Sequence, residues 1–352
     1  MNTYFNNLNP DIQEYFKILS KEFPEFLLDY INTPAMQKQA EISVSCGTIY
    51  TKLFNYKYWY SSLDHSIAVA LIIWNFTKDK KQTLSGLFHD IATPAFKHAI
   101  DFMNGDYINQ ESTEDLTTKL IKNSKEIMDL LNRDGIKLEE VCDYHIYPIA
   151  DNDTPKLSAD RLEYTLSNGF GVRKNLFTLD DIKEIYNDII VMKNEEGIEE
   201  LGFKTTKIAE KFIHNMTILA ASYIDNPTKL SMQFLADSMK KMSNLNLIKK
   251  EDLYQLSEKD IIERIKNSGV KDLVECFECW QNTTSIIESE TEVNGKYGAS
   301  ITGKNRYINP LIKTEKEIVR AKDISQNAKR DIDNFLNYRT PKYGYFDFEF
   351  SV

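Results

Sequence analysis

Six stretches of this sequence repeat apolar residues every three or four positions: "NPDIQEYFKILSKEF", "HSIAVALIIWNFT", "STEDLTTKLIKNSKEIMDLL", "LDDIKEIYNDIIVM", "TTKIAEKFIHNMTILAASYI" and "KLSMQFLADSMKKMSNL". That spacing lines one face of an α-helix, and the Ser, Thr, Asp or Asn near each start can cap the first turn. An all-α fold is expected, with a helical core and a mostly helical C-terminal accessory region. A chain of 352 residues with 42% hydrophobic content can bury a large core, as one large domain or two moderate ones. Composition shifts near residue 295, where glycines precede a basic stretch, and a loose boundary near 245 divides a core, 1–245, from an accessory region, 246–352. In the tail "YGYFDFEFSV", Phe346, Phe348 and Phe350 alternate with Asp347 and Glu349, which predicts a short strand.

Several function classes drop out early. With 13 glycines and neither G-x-x-x-x-G-K-[ST] nor G-x-G-x-x-G, the chain offers no P-loop or Rossmann phosphate loop. A formal net charge of -10 gives no general attraction to nucleic acid or an anionic membrane, so any phosphate site must be local. The longest apolar run, "SIAVALIIWNF", falls short of the roughly 20 residues a membrane span needs, and "MNTYFNNLNPDIQEYF" lacks the pattern of a signal segment. A cytoplasmic protein is expected. Its four cysteines are too scattered for a disulfide framework, and the Cys276-x-x-Cys279 pair lacks the second ligand pair of a structural zinc site, so it reads as two thiols on a helix.

The chemistry gathers around "LSGLFHDIATPAFKHAIDF", where an apolar run ends on His89 and Asp90. Adjacent residues on a helix project about 100° apart, so both reach one ion only where the helix end meets a cleft. Two ligands do not hold a metal alone. "SSLDHSIAVALIIW" places His65 in the first turn of an earlier helix, and "PKLSADRLEYTLSNG" sets Asp160 ahead of an Arg. His65, His89, Asp90 and Asp160 together suit a divalent metal ion (Mn, Fe, Ni, Zn or, less well, Mg) that keeps open positions for water.

That order resembles the H…HD…D signature of the HD-domain metal-dependent phosphohydrolase superfamily. "HDIATPAFKHAIDF" is similar to the motif of its deoxynucleoside triphosphate triphosphohydrolase branch, "SADRLEYTL" to that branch's Asp-Arg-x-Asp-Tyr segment, and "NRYINPLI" to a C-terminal segment of bacterial HD proteins. The likeness runs from about residue 30 to 175, with the motifs between about 60 and 170. It implies a small phosphoester or nucleotide substrate, His98 acting on the attacking water or the leaving group, and Arg161 and Tyr164 meeting phosphate or sugar, with Lys156 a further candidate. Asp101, three residues beyond His98 on a helix, can fix its tautomer. Many HD hydrolases are homo-oligomers, and the tail could add a strand to a neighbour.

Departures from the pattern bear on the substrate. The family's Arg before the first ligand is Ser62, one His of the HD motif is Thr93, and a further His falls at Gln110-Glu111. Three classes stay open: an active phosphohydrolase, a catalytically reduced nucleotide-binding regulator, and a dinuclear oxygenase or phosphodiesterase needing extra His ligands, for which His98 and His145 are available. His145 could equally wall the site or cap a turn. Arg161 could instead pair with Glu163 or Asp160, and His214 reads as a packed helix residue. The basic residues from Lys304 to Arg330 read as a solvated face, with an anion-binding lid as the sharper alternative.

Overall fold

Ser61 starts the helix around which the fold is built. Its hydroxyl accepts from the Asp64 N–H at 3.0 Å, while the Asp64 carboxylate accepts from the Ser61 N–H at 2.7 Å, so two donors that a helix end leaves orphaned are satisfied reciprocally. The helix, Ser62–Thr77, is buried continuously from Ser62 to Ile73 and runs through the core instead of along its surface. The next helix, Lys80–Phe88, packs back against it. A Cβ on Gly86 would lie 2.2 Å from Ile73 Cδ1, so this close approach needs a glycine.

In this computed structural model, which describes residues 3–105 and 116–352, most of the chain is helical. Helices Pro10–Leu19, Ala159–Gly169, Leu179–Asp188 and Thr206–Tyr223 complete one apolar cluster around Ser62–Thr77. A second cluster joins helix Ala99–Met103 to Asn226–Asn244, Glu258–Lys266 and Lys271–Asn282. It draws on both sides of residue 245, since Phe96, Phe234 and Met239 pack with Ile261, Phe277, Trp280 and Phe346.

The helical core is as expected; the all-α description is not complete, because the chain also forms two small sheets. In order they use β1 (Ile189–Lys193), β2 (Glu199–Phe203), β3 (Ile287–Ser289), β4 (Gly298–Ala299), β5 (Leu311–Lys313), β6 (Ile318–Arg320) and β7 (Tyr343–Tyr345). One sheet has the order β1-β2-β5-β6, antiparallel except where β2 meets β5, and the other has β3-β7-β4, all antiparallel. "LDDIKEIYNDIIVM" therefore splits. Its helix ends at Asp188, and the β-branched run Ile189-Ile190-Val191 pairs with β2 through a turn at Gly197, whose φ of 77° favours glycine. "STEDLTTKLIKNSKEIMDLL" likewise divides at Ser124 into Thr117–Asn123 and Lys125–Arg133; its first four residues lie outside the described part.

The tail also departs from expectation. The strand is Tyr343–Tyr345, upstream of the alternating phenylalanines, and it pairs within its own chain. Phe346, Phe348 and Phe350 instead surround Phe234, with ring centroids 5.9, 5.4 and 5.2 Å away, because burying three aromatic rings outweighs continuing a two-sided strand. Cys276 and Cys279 sit on one helix as free thiols, the first buried and the second exposed. Among the described residues, no helix is long and apolar enough to cross a membrane.

Candidate metal centre

Three helix ends meet at one point. His65 lies in the first turn of Ser62–Thr77, His89 caps the C-terminus of Lys80–Phe88, and Asp160 lies in the first turn of Ala159–Gly169. The last of these helices is capped by Ser158, whose hydroxyl accepts from the Arg161 N–H at 3.2 Å. His65 Nε2 stands 3.1 Å from Asp160 Oδ1 and 3.2 Å from His89 Nε2, and His89 Nε2 stands 3.8 Å from Asp160 Oδ1. All three ligand atoms lie within 4.8 Å of one another, so a single ion can touch each of them.

The tautomers favour that use. His89 Nδ1 is 2.7 Å from the Gly86 carbonyl, which can only accept, so neutral His89 turns an Nε2 lone pair inward. The His65 ring is likewise oriented from behind, its Nδ1 bonded to the Glu163 carboxylate and its Nε2 facing His89 and Asp160. Glu163 is fully buried and also accepts from the hydroxyls of Tyr60 at 2.7 Å and Tyr15 at 3.2 Å. This is the carboxylate–histidine arrangement that orients metal ligands from behind. Burial alone would lower the His65 pKa, but the Glu163 and Asp160 carboxylates outweigh it and raise it to about 10. Burial would raise Asp160, and the hydrogen bond and charge of His65 instead hold it well below the usual carboxylate range.

Asp90, expected as the fourth ligand, does not join this group among the described residues. Its Oδ2 lies 3.8 Å from His89 Nε2 but 2.5 Å from Lys97 Nζ, and it accepts from the Ser62 hydroxyl at 3.2 Å. Despite burial, the Lys97 ammonium, with His89 and His65, keeps this carboxyl well below its ordinary range. Lys97 reaches Asp90 from a strained turn in which both Phe96 (φ 64°) and Lys97 (φ 45°) have left-handed backbone, costing on the order of 1–3 kcal/mol each. The turn is anchored from the C-terminal part of the chain: Ala95 N–H donates to the Leu253 carbonyl at 2.8 Å, and Phe96 N–H to the buried Glu258 carboxylate at 3.2 Å.

The turn delivers His98 to the wall of a cavity of about 710 Å³ that the metal cluster also lines. His98 Nδ1 is 2.9 Å from the fully buried Asp101, as their spacing suggested. Burial, with Arg306 and Lys97 nearby, pushes His98 below its ordinary value against the pull of Asp101. Arg161, Tyr164, His145 and Lys156 all line the same cavity. Tyr164 has its hydroxyl pKa raised to about 12, chiefly by burial. Arg161 pairs with neither Glu163 nor Asp160; it lies 3.1 Å from Asp151 and donates to Asn152 Oδ1 at 2.7 Å, a network that rigidifies the loop before the Asp160 helix. Exposed His145 sits 2.9 Å from Asp143 and 3.5 Å from Asp151, outside the metal group. Lys156 pairs with Glu196 at 2.8 Å.

Other readings of the sequence divide. His214 is not packed: its side chain is 60% exposed, 3.0 Å from Asp331, because it falls on the outer face of Thr206–Tyr223. Of the basic stretch, Lys304 and Arg306 line the cavity, whereas Arg320 is locked to Glu195 and Glu200 and Lys322 to Asp333. Thr93 is buried beside the motif, and Gln110-Glu111 lie outside the described residues. Glu163 was readable from its position three residues after Asp160, on the same helix face. Lys97 had the weaker signal of a charge inside the motif, and Arg173, which also lines the cavity, had none.

No family model matches the chain. It is 23% identical over 282 residues, 79% of its length, to the uncharacterized protein YdhJ of Bacillus subtilis (strain 168), covering 82% of that protein. Two solved structures share its fold. One is a hypothetical protein from Aquifex aeolicus (TM-score 0.61, 18% identity, 92% of this chain and 93% of that one); the other is a phosphohydrolase from Bacteroides thetaiotaomicron VPI-5482 (TM-score 0.62, 14% identity, 92% and 96%).

Proposed function

We propose that the protein is a metal-dependent phosphohydrolase of the HD-domain type, close to the dNTP triphosphohydrolase-like branch. It cleaves a phosphate ester of a nucleotide or related small molecule. The observation that carries this reading is the convergence of His65, His89 and Asp160 from three separate helices, with both histidines turning Nε2 toward the shared point. The shared fold with a phosphohydrolase supports it.

His65, His89 and Asp160 would hold a divalent ion, and the chemistry it would supply is a lowered pKa for water and polarisation of a phosphoryl oxygen. The chain does the rest. Glu163 fixes the direction of His65, and the Gly86 carbonyl that of His89. His98, whose Nδ1–H is committed to Asp101, takes or returns a proton at Nε2, and its lowered pKa keeps it neutral near pH 7. Lys97, Lys304 and Arg306 add positive charge to the wall where phosphoryl oxygens would lie, and Tyr144 and Tyr164 give a base or sugar aromatic surface. Arg161, tied to Asp151, acts chiefly by holding the loop in place.

The deciding experiment is elemental analysis of freshly purified protein, followed by phosphate-release assays over nucleotides and p-nitrophenyl phosphate with manganese, magnesium, nickel or cobalt. Metal bound at one ion per chain with turnover of at least one substrate is expected. Bound metal without turnover would leave the second reading, a nucleotide-binding regulator. That reading draws on one observation, the engagement of Asp90 by Lys97, which occupies an expected ligand. Tight nucleotide binding indifferent to His98→Ala is its signature.

A further inference from the structure

The cavity continues past Tyr164 to Tyr223, whose ring centroid lies 6.5 Å from that of Tyr164, and from there to Arg173, whose guanidinium carbon lies 5.3 Å above the Tyr223 ring. Arg173 faces Phe54 on another side at 5.4 Å. Its hydrogen bonds all go to neutral oxygens. Nε donates to Ser222 Oγ at 2.8 Å, Nη2 to the Ser222 carbonyl and Thr228 Oγ1, and Nη1 only to the Tyr56 hydroxyl at 3.5 Å. Among the described residues no carboxylate lies within ion-pair distance of it. Of its five N–H groups, one on Nη1 is left unused on the cavity side.

Lys229 repeats the pattern in the first turn of Asn226–Asn244. It is 8% exposed, lines the same cavity, and donates to Thr340 Oγ1 at 3.1 Å, with no carboxylate within ion-pair distance among the described residues. Asp225, nearby, is committed to capping the helix through the Thr228 N–H at 2.9 Å. The Tyr223 hydroxyl is buried without a hydrogen-bond partner. Desolvating a cation without a counter-charge is costly, and two such cations facing one cavity mark a place where an anion completes the structure.

We propose that Arg173 and Lys229 form a second anion subsite, distinct from the metal centre, which binds a phosphate group remote from the one hydrolysed. Two buried cations with no carboxylate at ion-pair distance among the described residues, Lys229 being offset only at longer range by Asp225 and Glu288, match a phosphate dianion better than a carboxylate. On the phosphohydrolase reading the substrate then carries phosphate at two places; anion binding itself does not depend on that reading.

The test is titration of the full-length protein with inorganic phosphate, and separately with acetate, in the presence of a chelator. Saturable phosphate binding stronger than acetate binding is expected. Arg173→Met should weaken it about tenfold to a hundredfold, Arg173→Lys less, and Lys229→Met by an intermediate amount. His65→Ala should leave it in place, which separates this subsite from failure of the metal reading. Absence of phosphate binding, or binding indifferent to both Arg173→Met and Lys229→Met, would overturn the proposal. Acetate binding as tight as phosphate would overturn the assignment to phosphate. If Arg173→Met does not fold, Lys229→Met and Arg173→Lys decide.

Discussion

Two carboxylates with no exposure to solvent support the cavity wall, Glu163 behind His65 and Glu258 beneath the turn at Phe96, and they are solvated differently by the protein. Glu163 has both oxygens engaged, by Tyr15, Tyr60, His65 and Ser167. Glu258 receives the Phe96 N–H on one oxygen, while its other oxygen has no hydrogen-bond partner among the described residues, and burial pushes its pKa up to about 7 against the pull of Tyr50, Ser43, Phe96 and Lys97. A buried acid with both oxygens hydrogen-bonded, one of them to an imidazole, orients a ligand. One left half-satisfied carries a pH-dependent strain, and it does so beneath the turn that carries Lys97 and His98.

The sharpest way to break this contrast is to remove the imidazole that Glu163 serves. His65→Ala is expected to abolish bound metal by elemental analysis and to lower turnover on the order of 10⁴-fold, the rate equivalent of losing several kcal/mol of charge stabilisation. Retained metal and turnover would show that Glu163 orients nothing catalytic. His98→Ala should keep its metal and lose roughly 10³-fold in kcat, the loss falling on the rate and not on metal content. Glu163→Gln, which keeps the shape but removes the charge, should weaken metal binding about 10–100-fold in a competitive chelator titration.

Glu258→Gln should act least on the site and most on pH. The folded-state pKa of Glu258 lies near 7 against an ordinary 4.5, so its contribution to stability is fully present below about pH 4.5. It is lost as pH rises through 7, because the folded state must then hold a buried charge, only partly offset by its neighbours, that the unfolded chain leaves in water. The window is worth on the order of 3 kcal/mol. Denaturant unfolding of wild type at pH 5 and pH 8 should show that loss, and Glu258→Gln should remove most of it. Equal pH dependence in both proteins would mean that Glu258 is not the group that titrates.

How much of this was legible in advance differs by residue. His65, His89 and Asp160 could be placed together because a motif orders them. Helical periodicity located the helix that carries His65, whereas the helices of His89 and Asp160 lie outside the six periodic stretches and were reached through the motif alone. The failure of Asp90 to join the group traces to Lys97, whose side chain reaches its partner only through a left-handed turn at two non-glycine residues, which no periodicity announces. The end of "LDDIKEIYNDIIVM" was ambiguous for a related reason: Ile and Val suit both a buried helix face and a strand, and pairing with β2 made the choice.

What the sequence by itself determined is the helical core and the residue types able to grip a cation, because both follow from short-range spacing along the chain. Tertiary structure alone decided which charges meet. Asp90 is held by an ammonium and Glu163 by an imidazole, while Arg173 and Lys229 face a cavity with no carboxylate at ion-pair distance among the described residues. The strength of each such interaction depends on burial and distance, and those are properties of chain segments far apart in the sequence.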